Sequence, residues 1–455
     1  MANQELVASQ GLQAAVAERL DQLKSFKVSY WAPLVLGAMM MGDSWDIAVV
    51  GYSMPSLRHE WHLTALQVGA ILSSGFAGQL LGAFVFGPLA ERFGRLRVLN
   101  FAVLLMSALS LVCATVTNPI VFAALRFAQG IGFGGAAPVC ATYVHELAPT
   151  VSRGRYFLTY QFLVVAGFSL CAGVGSLIIP AFGWRPMFVL AAFPALLSPL
   201  IMLTLPESPR WLASMGRLDA TNRALSKLGA LPVSGTIDPN IRDAASRISI
   251  RALLAPGMAR LTLFTCLLWF CTTMVSNAFS AWGATILVDV FGLTLKESLR
   301  VGALAGVGYG LSPLLFALFI DRTGRRPVAI VGAVITLGAT FTLALLGLKQ
   351  PSLSIGFIAV GWITSGASLI LLWPYTGEIF PTKVRSTALG MCSGVARIGS
   401  MLTPLIVAGI LSSTGTVSAV FAALTLATAI VLAIWIFATK EMARRPLDAP
   451  DAGAL

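Results

Sequence analysis

The stretch that decides the fold is Gly87-Pro-Leu-Ala-Glu-Arg-Phe-Gly-Arg95, because its second half occurs twice in the chain. Its last five residues follow the template acid-Arg-x-Gly-Arg, which returns at Asp321–Arg325, 230 residues later. A second template, Glu-x-x-Pro-Thr-x-x-Arg, occupies Glu146–Arg153 and returns at Glu378–Arg385, 232 residues later. Two independent templates that repeat at nearly the same offset predict that the chain is a duplicated unit.

Each copy lies between long apolar stretches. Of the 455 residues, 57% are hydrophobic and only 11% are charged, and a water-soluble fold of this size could not hide that much apolar surface. A transmembrane helix needs about 20 mostly apolar residues. This criterion predicts an all-α membrane protein of twelve transmembrane helices in two pseudo-symmetric halves of six, with a substrate site between the halves. The predicted spans are 29–51, 66–90, 97–116, 119–143, 157–180, 186–205, 261–288, 300–320, 327–347, 353–376, 387–411 and 415–438. The predicted divisions are a cytoplasmic N-terminal segment 1–28, a first half 29–205, a cytoplasmic central loop 206–257, a second half 258–438 and a cytoplasmic tail 439–455.

The distribution of positive charge over the loops predicts the orientation. With the N-terminus placed inside, 24 of the 31 Lys and Arg residues fall on the inner side and five on the outer side. Because cytoplasmic loops carry such an excess, both termini are expected in the cytoplasm, with the protein in a bacterial inner membrane. The net charge of +12 is then spread over short segments beside the lipid bilayer, which argues against nucleic-acid binding. Residues 1–27 lack the pattern of a signal peptide and are expected to form a cytosolic amphipathic helix.

Three charges within the predicted spans are candidates for function, because each costs roughly 2.5 to 3.5 kcal/mol at the centre of a membrane helix. Asp43 and Asp46 are three residues apart and share one face of the first span, while Arg126 lies in the fourth. The position of the second half that matches Asp46 falls near Asn277, which is neutral. Pairing an acid of the first span with Arg126 is the simplest way to tolerate these charges. A purely structural salt bridge is the alternative interpretation.

Arg397 lies in the middle of the eleventh span, and the spans of its own half hold no acid at a matching depth. A buried guanidinium without a partner is unfavourable, and a substrate carboxylate would supply one with bidentate geometry. The alternatives are hydrogen bonds to backbone carbonyls or a pair with Asp43 or Asp46 across the halves. Further candidates for a polar and aromatic cavity wall are Gln161, Asn277, Tyr52, Tyr160, Trp282, Trp373 and Tyr375. Packing or interface anchoring is the more common role for any one of these, and only Gln161 and Asn277 are costly enough in lipid to favour a site.

The repeated templates resemble those of the major facilitator superfamily, over essentially the whole chain. Pro206-Glu-Ser-Pro-Arg-Trp-Leu212 resembles the sugar-porter and organic-ion branch, although Glu91 stands where the family usually has Asp and Leu96 where a second basic residue is usual. Asp43-Ser-Trp-Asp46 resembles a signature of bacterial aromatic-acid and metabolite proton symporters, which include niacin-transporter-like proteins. Gly390–Gly399 is similar to the eleventh span of organic cation and anion carriers, where an Arg accompanies anionic substrates.

This resemblance implies that Asp46 carries a coupled proton, that Arg126 sets its affinity, and that Asp43 is a second carrier or an entry-side relay. The duplicated templates are assigned to gating, because charges at the inner helix ends that face helix dipoles and the partner half would form ion pairs that hold that side shut and break when it opens. Anchoring of helix ends at lipid headgroups is the alternative. The candidate gating residues are Glu91, Arg92, Arg95, Glu146, Arg153, Asp321, Arg322, Arg325, Glu378 and Arg385.

No nucleotide-binding loop, nucleophile elbow or zinc spacing occurs in the sequence, so no enzymatic activity, cofactor or metal site is predicted. His59 and His62 are interpreted as solvated residues. The predicted function is proton-coupled uptake of a small organic anion by a monomer, with a benzoate-like or nicotinate-like aromatic monocarboxylate as the substrate. Two alternatives stay open: a facilitative or exchange carrier for sugars or organic cations, and a substrate sensor that does not transport.

Overall fold

The computed structural model describes residues 15–16, 18–20, 31–148, 153–233, 253–255, 258–346, 350–380 and 384–439, without the side chains of 153–155, 158, 313–322, 346, 351, 385 and 386. Within these ranges every regular element is a helix. The helices are α1 (Ala32–Trp61), α2 (Ala65–Phe93), α3 (Arg95–Cys113), α4 (Pro119–Leu147), α5 (Arg153–Phe182), α6 (Arg185–Leu190), α7 (Pro194–Thr204), α8 (Pro209–Ser214), α9 (Leu218–Leu228), α10 (Ala259–Asp289), α11 (Leu295–Thr323), α12 (Arg325–Leu346), α13 (Pro351–Ile379), α14 (Arg385–Thr414) and α15 (Val417–Phe437).

Eleven helical stretches of the described part are long and apolar enough to cross a membrane. One of them, Arg185–Thr204, is made of α6 and α7 with a turn between them. The 29-residue helix α11 takes the place of the eighth predicted span, 300–320. The prediction of an all-α protein with twelve membrane-crossing helices is therefore confirmed.

The loops alternate between two ends of the helix bundle. We call the end that holds Gly94, Gly324 and residues 205–233 the basic face, and the end that holds His62 and Gly183 the opposite face. Gly94 and Gly324 have the same place in the two repeated templates, and both have positive φ angles, 105° and 92°. Each is the single residue between two successive helices, so the turn favours a residue without a Cβ. This turn is the physical reason for the glycine in each template.

Helix α1 is longer than the sequence predicts, because it continues for ten residues beyond position 51 to Trp61. These last turns carry Arg58, His59 and Glu60, which lower the hydropathy, but their inner side stays packed through Tyr52 and Leu57. The helix ends at His62, whose left-handed backbone (φ 51°) lets its N–H donate to the carbonyl oxygen of Arg58.

In the described part the apolar core divides into three large clusters and a small one formed by Trp211, Leu212 and Ala224. The shared cluster lies on the opposite face and contains residues of both halves, such as Leu57, Trp184, Leu287 and Val420. The N-half cluster lies on the basic face and draws only on the first half, the central segment and the N-terminal residues Val16 and Leu20. The C-half cluster lies on the basic face of the second half, around Leu261, Ile379 and Phe380. The halves therefore share a core on the opposite face and have separate cores on the basic face.

In the described part the main contacts between the halves are made by three helix pairs: α1 with α10, α2 with α14, and α5 with α11. The approach of α1 to α10 is close at Gly51, where a Cβ atom would lie 2.9 Å from the carbonyl oxygen of Ser280. Nearer the opposite face, Arg58 in the last turn of α1 forms an ion pair with Asp289, the last residue of α10. These contacts hold the halves together at the end where they share a core.

Candidate functional site

The charged residues predicted within the spans lie at the level where the shared cluster meets the two basic-face clusters. On α1, Met40 belongs to the N-half cluster and Ala48 to the shared cluster, with Asp43 and Asp46 between them. Arg126 lies between Phe122 of the shared cluster and Phe133 of the N-half cluster on α4. On α14, Arg397 follows Ala396 of the C-half cluster and precedes Val407 of the shared cluster. The four charges thus occupy one layer at the middle of the molecule.

Asp46 and Arg126 form a buried ion pair between α1 and α4. Nη1 of Arg126 lies 2.6 Å from Oδ1 and 2.7 Å from Oδ2 of Asp46. The side chain of Asp46 is 0% exposed and that of Arg126 is 6% exposed. Gly75 of α2 packs against the guanidinium, because a Cβ there would lie 3.2 Å from Nη2. The structure therefore brings together the two residues that the sequence analysis paired, in a place without access to bulk water.

Gln129 completes this pair, and the sequence analysis did not identify it. Its Nε2 donates to Oδ1 of Asp46 at 2.7 Å, while its Oε1 accepts from Nη1 of Arg126 at 2.7 Å. Nε2 also lies 3.3 Å from the carbonyl oxygen of Met106 on α3. Gln129 could have been identified from its position three residues after Arg126, which places both side chains on the same face of α4.

Asp43 lies one turn before Asp46 and is only partly buried. None of the described residues forms a hydrogen bond or an ion pair with its carboxylate, in contrast to Asp46. Its charge nevertheless interacts with the charge of Arg397 in the other half, with Asp46, and with the hydroxyl group of Tyr160. Asp43 therefore lies close enough to Asp46 and to the guanidinium of Arg397 for an electrostatic interaction, without a direct contact to either.

Arg397 reaches from α14 toward the first half. Its Nη1 donates to the backbone carbonyl oxygen of Gln79 on α2 at 3.2 Å, and no carboxylate of the described residues lies within 4 Å of it. Backbone carbonyls are among the partners for Arg397 that the sequence leaves open, and this hydrogen bond agrees with that alternative. In the described part nothing accepts from Nε or Nη2, so most of the guanidinium remains available to an anion.

Three of the predicted wall residues lie near this layer. Tyr160 is buried close to Asp43, and Gln161 is partly exposed beside it on α5. Asn277 donates from Nδ2 to the hydroxyl oxygen of Ser400 at 2.7 Å, which joins α10 to α14. The structure gives Asn277 a partner inside the protein, so its cost in lipid has a structural explanation as well as a functional one.

The other four predicted wall residues do not converge on the layer. Tyr52 and Trp282 belong to the shared cluster on the opposite face. Tyr375 belongs to the C-half cluster, with its ring 4.7 Å from that of Trp435. Trp373 is 51% exposed and meets Trp269 edge to face at 5.0 Å. Packing accounts for these aromatic side chains because each has an aromatic or apolar neighbour.

The gating candidates form ion pairs at matching positions of the two halves. Nε of Arg95 lies 3.7 Å from Oε1 of Glu146, and Nη2 of Arg325 lies 2.9 Å from Oε1 of Glu378. Both pairs join helices of the same half, whereas the sequence analysis placed such charges facing the partner half. Glu91 is exposed, and Arg92 lies over the ring of Phe93 at 5.2 Å. The side chains of Arg153, Asp321, Arg322 and Arg385 lie outside the described residues.

Glu207 organises the basic face of the first half, and the sequence analysis gave it no role. Its Oε1 accepts from the backbone N–H groups of Arg95 at 3.0 Å and Leu96 at 3.1 Å, at the start of α3. Trp211 of the same segment donates from Nε1 to the carbonyl oxygen of Glu91 at 2.7 Å, and the hydroxyl of Tyr143 donates to the carbonyl oxygen of Pro206. The segment after α7 therefore ties together the ends of α2, α3 and α4.

The cysteines and the other side chains that could bind a metal ion form no further site in the described part of the chain. All six cysteines are free and buried. Within the described ranges no three His, Cys, Asp or Glu side chains come together as a metal site would require.

Comparisons with known proteins give one family over nearly the whole chain. A family model described as "Sugar (and other) transporter" matches residues 21–447. The chain is 32% identical over 395 residues to a gallate transporter of Pseudomonas putida, and the aligned region covers 84% of this chain and 86% of that protein. It is 28% identical to a niacin transporter of Acinetobacter baylyi, over 95% and 99% of the two chains. The fold is similar to that of the xylose transporter XylE from E. coli in a partially occluded inward-open conformation, with a TM-score of 0.75, 21% identity and coverage of 92% and 99%.

Proposed function

Because the chain belongs to the sugar (and other) transporter family of the major facilitator superfamily, we propose that it takes up an aromatic or heteroaromatic monocarboxylate together with a proton. Family membership makes the protein a multi-pass membrane transporter and not an enzyme. The gallate and niacin transporters among its relatives act on small aromatic acids, as their names state, and support this substrate class. Proton coupling rests on the residues of the central layer.

The observation that carries the proposal is the sealed ion pair between Asp46 and Arg126. A carboxylate in such a place needs a balancing charge, which is either Arg126 or a bound proton. Protonation of Asp46 weakens its hold on Arg126 and so loosens α1 from α4. Loss of the proton restores the pair, and the empty carrier can then return with this site internally neutral. Proton binding and helix movement are coupled through one contact.

Arg397 is proposed to hold the carboxylate of the substrate. Among the described residues, only the Nη1 atom of Arg397 has a partner, the carbonyl oxygen of Gln79. A guanidinium fork matches a carboxylate with two parallel hydrogen bonds. Asp43 competes with the substrate for this charge, because the two side chains interact across the halves. Protonation of Asp43 would remove that competition, which is why it is proposed as a second proton site or a relay.

The structure corresponds to an inward-facing state if the basic face is cytoplasmic, as the distribution of Lys and Arg predicts. The halves share a core on the opposite face and have separate cores on the basic face. The central layer is then closed to the outside by the contacts around Gly51 and the ion pair of Arg58 with Asp289. Alternating access requires these contacts to separate while new ones form on the basic face.

The test is uptake into proteoliposomes of benzoate and nicotinate, as probes of the substrate class, with an imposed pH gradient. Asp46→Asn should lose uptake driven by the gradient yet keep counterflow exchange, because exchange does not require the deprotonated empty carrier to reorient. A monovalent anion moving with one proton carries no net charge, so the membrane potential should have no effect. Two protons would add about 2.3 kcal/mol for each 100 mV, and uptake would then respond to the potential.

Two outcomes contradict the proposal. Uphill uptake by Asp46→Asn would place the proton elsewhere, and wild-type uptake that ignores external pH would indicate a facilitative carrier. A panel of sugars and amines in the same counterflow assay separates the acid carrier from the alternatives, since Arg397 disfavours a cation.

A further inference from the structure

We propose that Gln129 is a positioning residue that fixes the proton affinity of Asp46 by holding its carboxylate in the ionised, Arg126-bound form. The proposal rests on the proposed function, in which Asp46 carries the proton. It adds a residue that belongs to neither repeated template and carries no charge.

The hydrogen bonds of Gln129 specify its orientation. Nε2 donates to Oδ1 of Asp46, and Oε1 accepts from Nη1 of Arg126, both at 2.7 Å. The amide nitrogen also lies 3.3 Å from the carbonyl oxygen of Met106, an acceptor that a flipped amide could not use. The side chain is fully buried, so water cannot replace these contacts. One uncharged side chain thus contacts both members of the ion pair.

The amide compensates for an incomplete contact between the two charges. Arg126 reaches Asp46 through Nη1 alone at short distance, with Nη2 3.5 Å from the backbone carbonyl oxygen of Asp46. Its Nε is buried without a partner among the described residues. A fork-to-fork arrangement would have two parallel hydrogen bonds. Here Gln129 supplies the second donor to Oδ1, in place of the second guanidinium nitrogen.

Among the described residues, no side chain other than Arg126 and Gln129 donates a hydrogen bond to the carboxylate of Asp46. The charged and titratable side chains that interact with it are Asp43 on α1, Arg126 on α4, Cys113 on α3 and Cys171 on α5. Asp43 repels a negative charge on Asp46, and neither cysteine is within hydrogen-bonding distance of the carboxylate in the structure. Gln129 and Arg126 are therefore the two side-chain donors that stabilise the ionised form.

Removing the amide should make Asp46 easier to protonate. Gln129→Met keeps a similar length but deletes the hydrogen bonds to Asp46, Arg126 and Met106, so the ionised carboxylate loses one of its donors. A hydrogen bond to a charged group changes an equilibrium constant about tenfold or more, so the pH of half-maximal uptake should rise by about one unit. Gln129→Glu keeps the acceptor for Arg126 but adds a second negative charge, and it should raise that pH further.

The experiment measures uptake of benzoate into proteoliposomes at a series of external pH values, with the internal pH fixed, and counterflow at one pH. The expected result is an upward shift of the pH profile in both variants while counterflow continues. Gln350→Met, the same change at an exposed position just before α13 whose side chain forms no capping hydrogen bond, should keep the wild-type profile. As a measurement independent of transport, the infrared C=O band of the protonated carboxyl group, identified by its absence in Asp46→Asn, should titrate at higher pH in Gln129→Met.

A wild-type pH midpoint in both Gln129 variants, by uptake or by infrared titration, overturns the inference. A drop in rate or stability without a shift of the midpoint would show that Gln129 is only structural, which also overturns it. Uphill uptake by Asp46→Asn is a different result, because it refutes Asp46 as the proton carrier and hence the proposed function itself.

Discussion

The surroundings of Arg397 are compatible with its proposed role as the anchor of the substrate carboxylate. Its hydrogen bond to the carbonyl oxygen of Gln79 crosses from α14 to α2, and the charge of Asp43 acts on it from α1. These partners keep the cation tolerable when no substrate is bound. A carbonyl oxygen is a weaker partner than a carboxylate, so a substrate anion can displace it.

Replacing Arg397 should therefore abolish binding of a carboxylate. Arg397→Ala removes a partly buried charge partner, which should cost about 2 kcal/mol or more of binding free energy. Arg397→Lys keeps the positive charge but not the guanidinium fork, so it should retain only part of the wild-type affinity. Binding of radiolabelled benzoate and nicotinate to the purified protein measures both effects.

The matched control for this prediction is Arg300→Ala, which removes an exposed Arg in the first turns of α11 and should leave affinity unchanged. Thermal unfolding in detergent checks that each variant is folded. If Arg397→Ala binds the acid with nearly wild-type affinity, the guanidinium does not anchor the carboxylate.

Charged residues within the membrane spans could be predicted as functional candidates from the sequence. A neutral side chain within a span, or a charge in a polar segment, could not. Asp46 and Arg126 are charges in apolar spans, so each requires a partner however the helices pack. Gln129 is neutral, and its importance depends on which atoms its amide meets. Glu207 lies in a polar segment where a charge needs no explanation, so nothing in the sequence connected it with α3.

Helix α3 illustrates how one element depends on a segment far away in the chain. It begins directly after Gly94, without a capping side chain from its own preceding residue. The carboxylate of Glu207 takes that role and accepts from the first two backbone N–H groups, where the helix dipole also favours a negative charge. The central segment is thereby fastened to the basic face of the first half.

Glu207→Gln should lower the stability of the first half. The substitution removes the charge that faces the helix start, and loss of such a cap costs about 1 kcal/mol. Thermal unfolding in detergent should show a lower midpoint, with a larger decrease for Glu207→Ala. Asp219→Asn neutralises an exposed acid in the first turn of the short helix α9 and serves as the control. Equal unfolding midpoints for Glu207→Ala and the wild type would refute the capping role.

Hydropathy located every membrane helix but misjudged the end of α1. A hydropathy window responds to what lipid can tolerate, whereas the residues after position 51 are buried by protein, as Tyr52 and Met54 show. The glycines of the repeated templates, in contrast, predicted their turns correctly, because a turn depends on the local backbone and not on what surrounds the helix. Gly94 and Gly324 satisfy a local backbone requirement, which a sequence records directly.

The two halves as a whole meet through contacts that must be reversible. The shared cluster, the approach at Gly51 and the ion pair of Arg58 with Asp289 all hold the opposite face together. On the basic face the observed ion pairs of Arg95 and Arg325 stay within one half each. They stabilise each half as a unit, so that the halves can rock against one another.

The conformation of the whole molecule could not be predicted from the sequence. A transporter sequence must stabilise at least two arrangements of the halves by similar amounts, so its motifs and hydropathy describe both equally. The duplication predicted a site between the halves, and the central layer lies there. Which face is closed depends on the small difference in free energy between the two arrangements. No single residue pattern in the sequence records that difference.

Because the two arrangements differ little in free energy, one methyl group added between α1 and α10 can change which arrangement is more populated. Gly51→Ala places a Cβ near the carbonyl oxygen of Ser280, at 2.9 Å in the closed arrangement, and real Cβ atoms do not tolerate such a contact without a shift of the helices. The penalty applies only when α1 and α10 are close, so the population should move toward the state open on the opposite face. Spin labels at Thr115 and Thr416, exposed on that face in different halves, should report longer distances, and uptake should fall while the protein stays folded.

Gly173→Ala is the matched control, because a Cβ at this position of α5 meets no atom within 4 Å. It should leave both the label distances and uptake unchanged, although it makes the same chemical change in a membrane helix. Unchanged distances in Gly51→Ala would mean that the close approach of α1 to α10 does not determine which face is closed. Equal shifts in both variants would attribute the effect to helix propensity and not to the interface, since alanine favours a helix over glycine at either position.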